Sequence, residues 1–246
     1  AGVQGAAVVD VPLMRNAGYA LDLPGIVATA RNTSGPRIKL VFVCAPNNPT
    51  GNDVPIADIE FLLRELAGQA IVVVDEAYQP FADTTWLTEM RADPVANGKV
   101  LLMRTLSKFG LAGIRLGYML GSEALISEID KLRPPYNVSG LNAECALFAL
   151  ENAPVFAAQA AEIRAERAAL SVALGALPGC EAFPSQANMI LIRVPDATET
   201  FQRLKASGVL VKNVSTMHPL LHRCLRITVG TPQENALLLT ALKAAL

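Results

Sequence analysis

Two short apolar runs, Lys39-Leu-Val-Phe-Val-Cys44 and Ala70-Ile-Val-Val-Val74, frame a stretch in which Ile56, Ile59, Leu62, Leu63 and Leu66 recur at helical spacing. β-Branched runs without polar alternation predict strands covered on both faces, as in a parallel sheet. The helix between them is expected to take Asp53 as its N-cap and Pro55 in its first turn. Strand, helix, strand then predicts a right-handed crossover. Two more strands are expected over 100–103 and 116–120, and a helix over 123–132 that stops before Pro134 and Pro135.

Beyond residue 140 the pattern changes. From 141 to 174 the chain is rich in Ala and Leu with i to i+4 charge pairs, which predicts one long helix or two consecutive ones. A strand at 189–194, a helix at 199–207 and a strand at 224–229 follow. Thr231-Pro-Gln-Glu234 has the form of a capping box with proline at the first helical position, opening a last helix. The fold class is α/β, a mainly parallel sheet flanked by helices, with a smaller α+β domain at the C-terminus.

Composition narrows the function classes. With 246 residues, 52% of them hydrophobic, the chain can bury a sizeable core in one large domain or two that share a cleft. Its 21 basic and 22 acidic residues leave a formal charge of −1, so nothing draws it electrostatically to nucleic acid or an anionic membrane, and a small-molecule substrate is expected. Cys44, Cys145, Cys180 and Cys224 are far apart and His218 and His222 have no companion cluster, so neither a metal nor a disulfide is expected. Scattered cysteines fit buried hydrophobes of a reducing cytoplasm, and the first ten residues carry no basic leader region.

Four motifs carry candidate chemistry. Arg104-Thr-Leu-Ser-Lys-Phe-Gly-Leu-Ala-Gly-Ile-Arg-Leu-Gly-Tyr118 joins a lysine to hydroxyls, glycines and an arginine. Lys108 can form a Schiff base with pyridoxal 5'-phosphate while Thr105, Ser107 and Arg115 hold the phosphate, and it can equally be a solvated loop lysine. Ala45-Pro-Asn-Asn-Pro-Thr-Gly51 follows a strand, where Asn48 can aim an amide at a ring oxygen and Pro49 with Gly51 fixes a tight turn compatible with a cis bond, or forms an ordinary strand-to-helix turn. Val72-Val-Val-Asp-Glu-Ala-Tyr78 ends an apolar strand with two carboxylates. Asp75 can hold a proton on a pyridine nitrogen or cap a helix, Tyr78 can donate to the ring's 3'-oxygen, and Glu76, on the other side of the strand, is expected to be a structural ion-pair partner. Cys224-Leu-Arg-Ile-Thr-Val-Gly-Thr231 puts Arg226 on a strand, as a bidentate carboxylate fork or a surface salt bridge.

Together with Gln186-Ala-Asn-Met189, these motifs stand in the order and approximate spacing of a known family. The chain resembles the fold type I pyridoxal-phosphate enzymes of the aspartate aminotransferase superfamily, and within it the histidinol-phosphate aminotransferases. The resemblance implies a large cofactor-binding domain over 1–135, N-terminally incomplete because family members are longer there, and an interdomain helix with a small C-terminal domain over 136–246. It makes Lys108 the Schiff-base lysine, Asp75 the partner of the pyridine nitrogen, and Asn48 with Tyr78 the ligands of the 3'-oxygen. Thr105, Ser107 and Arg115 become phosphate ligands. Arg226 and Asn188 fall at the substrate, with Lys212, where some members have arginine, at the substrate phosphate.

The implied reaction is transamination of histidinol phosphate with 2-oxoglutarate, giving imidazole acetol phosphate and glutamate, by a cytoplasmic homodimer. Aromatic amino acid transamination and threonine-phosphate decarboxylation share the motif set. A non-catalytic cofactor-sensing or inactive aminotransferase-like domain is the alternative from another class.

Overall fold

The computed structural model describes residues 2–35, 37–94 and 99–246. One sheet holds β1 (Leu40–Cys44), β2 (Ile71–Asp75), β3 (Val100–Thr105) and β4 (Gly117–Leu120), side by side in chain order. The pairs β1–β2 and β2–β3 are parallel, and β4 returns antiparallel to β3. Val72, Val73 and Val74 are at most 2% exposed, so β2 is covered on both faces. The same expectation for residues 39–44 needs correction. Among the described residues β1 is an edge strand, and Leu40 and Phe42 are exposed.

Helix α1 (Leu23–Arg31) was not legible from apolar spacing. Asp22 caps it by accepting from the Gly25 amide at 3.0 Å, and Ile26, Val27 and Ala30 turn toward α2 (Ile56–Glu65). The α2 residues Ile59 and Leu62, with Leu66, bury their side chains among Val72, Val74, Val100 and Leu102. Each such burial stabilises the fold by about 1.5–3 kcal/mol relative to exposure. The start of α2 differs from the sequence expectation: Pro55 is itself the N-cap position, and Asp53 lies too early to cap. Its carboxylate instead accepts from the Val54 amide and the Thr84 hydroxyl.

Helices α3 (Trp86–Ala92) and α4 (Glu123–Asp130) are each capped by a hydroxyl, from Thr85 and Ser122. The alanine-rich region forms two helices, α5 (Gly140–Glu151) and α6 (Ala153–Gly175). The break falls at Asn152, because Pro154 has no N–H with which to continue the preceding helix. Among the described residues no helix is long and apolar enough to cross a membrane.

The second sheet has the order β5-β6-β8-β7, all antiparallel, built from β5 (Glu181–Ala182), β6 (Met189–Arg193), β7 (Lys212–Asn213) and β8 (Cys224–Thr228). One face, with Ile190, Ile192, Leu225 and Ile227, packs on Leu170 and Leu174 of α6, Leu204 of α7 (Ala197–Ala206) and Leu242 of α8 (Pro232–Ala245). The expected capping box at Thr231 and Glu234 opens α8. The opposite face receives Tyr19, which inserts beside Phe183, Leu191, Leu221 and Cys224.

A buried ion pair fixes the carboxyl end of the first sheet. Glu76, 3% exposed, accepts from Arg104 Nη2 at 2.8 Å and Nε at 3.0 Å, and also from the Thr85 hydroxyl and the Trp86 amide. It thereby joins the end of β2, the strand β3 and the start of α3. Removing one partner leaves an uncompensated buried charge, so Arg104→Met is expected to lower the unfolding free energy by about 3–5 kcal/mol. Urea unfolding checks this, and an unshifted midpoint would contradict it.

Candidate active site

Parallel pairing sends the connections after β1, β2 and β3 to the same edge of the sheet, where open α/β sheets take ligands. The register Cys44↔Asp75↔Met103 brings these strand ends level. The turn after β1 carries Asn48. The Asn47 amide donates to Asn52 O and the Gly51 amide to Asn47 O, both at 2.8 Å, and the buried Thr50 hydroxyl links the Asn47 and Asn52 side chains. Both Ala45–Pro46 and Asn48–Pro49 are cis. Gly51 has φ +76°, and a Cβ there would stand 2.5 Å from Ser185 Oγ, so only glycine lets the two loops approach.

After β2, Asp75 and Glu76 part to opposite sides, as strand alternation predicts. Asp75 Oδ1 accepts from the Ala77 amide at 2.9 Å, and its Oδ2 has no hydrogen-bond partner among the described residues. Tyr78, next along, has its ring centroid 5.1 Å from Lys108 Nζ, a distance at which an ammonium is attracted to the ring face. Burial pushes the Tyr78 phenol up from its ordinary pKa; the nearby Arg226 guanidinium pulls it down and the Asp75 carboxylate adds to the rise.

The connection after β3 holds Ser107, Lys108 and Arg115. The Leu106 amide bonds Leu116 O at 3.0 Å, continuing the register Thr105↔Gly117, so Ser107 and Arg115 are the next residues beyond that last pair on either side of the connection. Arg115 adopts φ +51°, and its guanidinium has no hydrogen bond or ion pair among the described residues. Thr105 is committed differently. Its hydroxyl donates to Leu116 O and accepts from the Ser107 amide, so it shapes the turn in which the other three lie.

Arg226 arrives from the second sheet. Its Nη1 donates to Asn48 Oδ1 at 2.8 Å, and its buried Nε has no partner among the described residues. Neither Nε nor Nη2 has a hydrogen-bond partner among the described residues, so the guanidinium keeps unused donors of the kind that pair with an acid group. Lys212 is the β7 register partner of Arg226 and stands on the same sheet face, exposed. The backbone carbonyl of Asn188 accepts from the Val229 amide at 2.9 Å, tying its loop to the end of β8.

Asn48, Asp75, Tyr78, Lys108 and Arg226, distant in sequence, thus form one cluster. Arg167 was missed. It lies in the alanine-rich α6, is 8% exposed, and donates to Phe81 O at 2.8 Å, Ala187 O at 3.0 Å and Gln186 Oε1 at 3.2 Å. Apolar spacing cannot flag a buried arginine, and an arginine on a charge-bearing helix reads as solvated.

A phenol with a raised pKa stays neutral in the folded chain, and the stability it contributes is lost as pH rises through the raised value. The ultraviolet difference between the chain and Tyr78→Phe is expected to show phenolate forming only above pH about 10. In Arg226→Ala the same transition should move higher still, because the charge that lowers it is gone. A transition that stays put would show that the two groups do not interact.

The model of the family described as aminotransferase class I and II matches residues 1–242. The histidinol-phosphate aminotransferase of Paracidovorax citrulli is 56% identical over 100% of the chain, which spans 66% of that protein's length. That of Acidovorax sp. strain JS42 is 55% identical over the same shares. Among solved structures, histidinol-phosphate aminotransferase from Sinorhizobium meliloti, in complex with pyridoxal-5'-phosphate, superposes with TM-score 0.82 at 26% identity, covering 98% of the chain and 64% of its own. A decarboxylase from Sulfurospirillum multivorans superposes with TM-score 0.84 at 25% identity, covering 99% and 71%. With the family model spanning nearly every residue and Asn48, Asp75, Tyr78, Lys108 and Arg226 gathered at the strand ends, the chain belongs to the class I and II aminotransferases.

Proposed function

We propose that the chain carries the catalytic centre of a pyridoxal-phosphate-dependent aminotransferase that takes histidinol phosphate as amino donor and 2-oxoglutarate as acceptor. The observation that carries this reading is Arg226, which reaches from β8 to Asn48 and, beside Tyr78, keeps Nε and Nη2 without hydrogen-bond partners among the described residues. Relatives at 55–56% identity bearing that name support the choice of substrate.

The donor set fits the cofactor. A carboxylate oxygen of Asp75, the Lys108 amine, the Ser107 hydroxyl and the Arg115 guanidinium are all without hydrogen-bond partners among the described residues and lie on the connections that follow β2 and β3. Pyridoxal 5'-phosphate, when bound, supplies a ring that takes up the electron pair left at the substrate α-carbon. Asp75 Oδ2 would keep a proton on the ring nitrogen. Asn48 Nδ2 and the neutral Tyr78 hydroxyl would donate to the 3'-oxygen. Ser107 and Arg115 would hold the phosphate, with Thr105 bracing their turn.

Lys108 Nζ would hold the cofactor's aldehyde carbon and would be the group that takes and returns the substrate's α-proton. Arg226 grips the acid group of the substrate, a carboxylate in glutamate and a phosphate in histidinol phosphate. Lys212, on the same face as Arg226, and Asn188, whose loop is tied to the end of β8, would complete that grip. The reading includes a cytoplasmic homodimer. The exposed apolar side chains of α5, Leu141, Leu147, Phe148 and Leu150, support pairing with another protein surface.

The test adds pyridoxal 5'-phosphate to the chain and then histidinol phosphate without an oxo acid. The visible band of the bound cofactor is expected to bleach, and to return on adding 2-oxoglutarate. Lys108→Ala should lose turnover by about 10⁴-fold while retaining some cofactor affinity through the ring and phosphate contacts. Unchanged turnover in this variant would overturn the assignment. Release of carbon dioxide without any need for 2-oxoglutarate would replace transamination by decarboxylation.

A further inference from the structure

Arg167 touches none of the proposed ligands, yet each of its bonds ends on a segment that carries one. Phe81, whose carbonyl it holds, closes the short turn (Gln79–Phe81) directly after Tyr78. Ala187, the second carbonyl, precedes Asn188. Gln186, the third contact, extends the fork in two directions: its Nε2 donates to Asp83 at 2.9 Å, and its backbone amide donates to Gly51 O at 2.8 Å in the Asn48 turn. At that point the loops meet too closely for any side chain at Gly51.

We propose that Arg167 is a positioning residue: one buried guanidinium sets the spacing between the Tyr78, Asn188 and Asn48 segments, and so holds Arg226 of the second sheet in reach of the substrate's acid group. The inference rests on the reading of Arg226 as the acid-group anchor. Two nitrogens share the three acceptors, Nη1 on Phe81 O and Ala187 O and Nη2 on Gln186 Oε1, and a guanidinium holds its donors in fixed directions. A lysine ammonium of the same charge has its three donors on one nitrogen at the end of a flexible stem and does not reproduce the fork. The proposed cofactor contacts of Lys108, Ser107 and Arg115 lie on the β3–β4 connection, which Arg167 does not touch. Asn48 and Tyr78, the proposed ligands of the ring's 3'-oxygen, do lie on segments it spaces, so it is the grip on the phosphate and the lysine anchor that are separable from substrate grip in this fold.

Two variants of the 246-residue chain test this. Arg167→Lys keeps the charge and loses the fork, and Gln186→Ala removes one arm at a half-buried position. With cofactor bound, titration with 2-oxoglutarate is expected to show about 10-fold weaker binding in Arg167→Lys, and a smaller loss in Gln186→Ala. The dissociation constant of pyridoxal 5'-phosphate should rise by less than that of 2-oxoglutarate, because the Lys108, Ser107 and Arg115 contacts lie on the connection that Arg167 does not touch. Independently of any ligand, hydrogen exchange should accelerate at the Gln186 and Val229 amides, which bond Gly51 O and Asn188 O, and not at Leu106 in the β3–β4 connection.

Unchanged exchange and unchanged 2-oxoglutarate binding in both variants would overturn the proposal. So would a parallel loss of cofactor and 2-oxoglutarate affinity with uniformly faster exchange, which marks a general staple. A parent chain that binds neither ligand would sink the aminotransferase reading instead, and the exchange pattern would still decide whether Arg167 spaces these segments.

Discussion

Asp75 and Glu76 are neighbours at the end of a strand buried on both faces, so their two carboxylates face opposite sides and one of them must be neutralised inside the protein. Arg104 does this from the adjacent strand, with two donors on Glu76 Oε2, while Thr85 and the Trp86 amide satisfy the remaining lone pairs. The arrangement is expensive to desolvate and holds only because every partner is in place. Its yield is positional. With Glu76 locked, the backbone at 75–78 has one course, and Asp75 and Tyr78 are left on the side where the loops after β1 and β3 converge.

The second constraint is the seam between the sheets. A single sheet could present Asn48, Asp75, Tyr78 and Lys108, but Arg226 belongs to the other sheet and meets Asn48 only because two loops are pressed together at Gly51 and Ser185. Arg167 lies under this contact, and its backbone acceptors take the place of the water that a buried guanidinium gives up. Tyr19 reinforces the seam from the far side. Its ring fills the second sheet's outer face and its carbonyl accepts from Asn52. Packing, backbone hydrogen bonds and one buried cation therefore fix a distance on which the proposed chemistry depends.

Charge in the cluster is balanced locally. Around Tyr78, Arg226 and Asp75 act in opposite directions on the phenol while burial holds it neutral, which suits a hydrogen-bond donor. Lys108 stands over the same ring.

By itself the amino-acid sequence determined much of this protein. Val72 to Val74 demanded a strand covered on both faces, Thr231 to Glu234 demanded a helix start, and the Lys108, Asp75, Asn48 and Arg226 motifs were recognisable because strand ends and glycine turns have short-range signatures. Alternation along the backbone was enough to separate Asp75 from Glu76. Other features depended on contacts far apart in sequence. That residues 40–44 form an edge, that Asp53 bonds Thr84 instead of capping a helix, and that Thr105 spends its hydroxyl on Leu116 O were settled by partners the local pattern does not contain. Above all, the place of Arg167 was decided by tertiary structure alone, because a buried cation is specified by the carbonyls that surround it, and those come from residues 81 and 187.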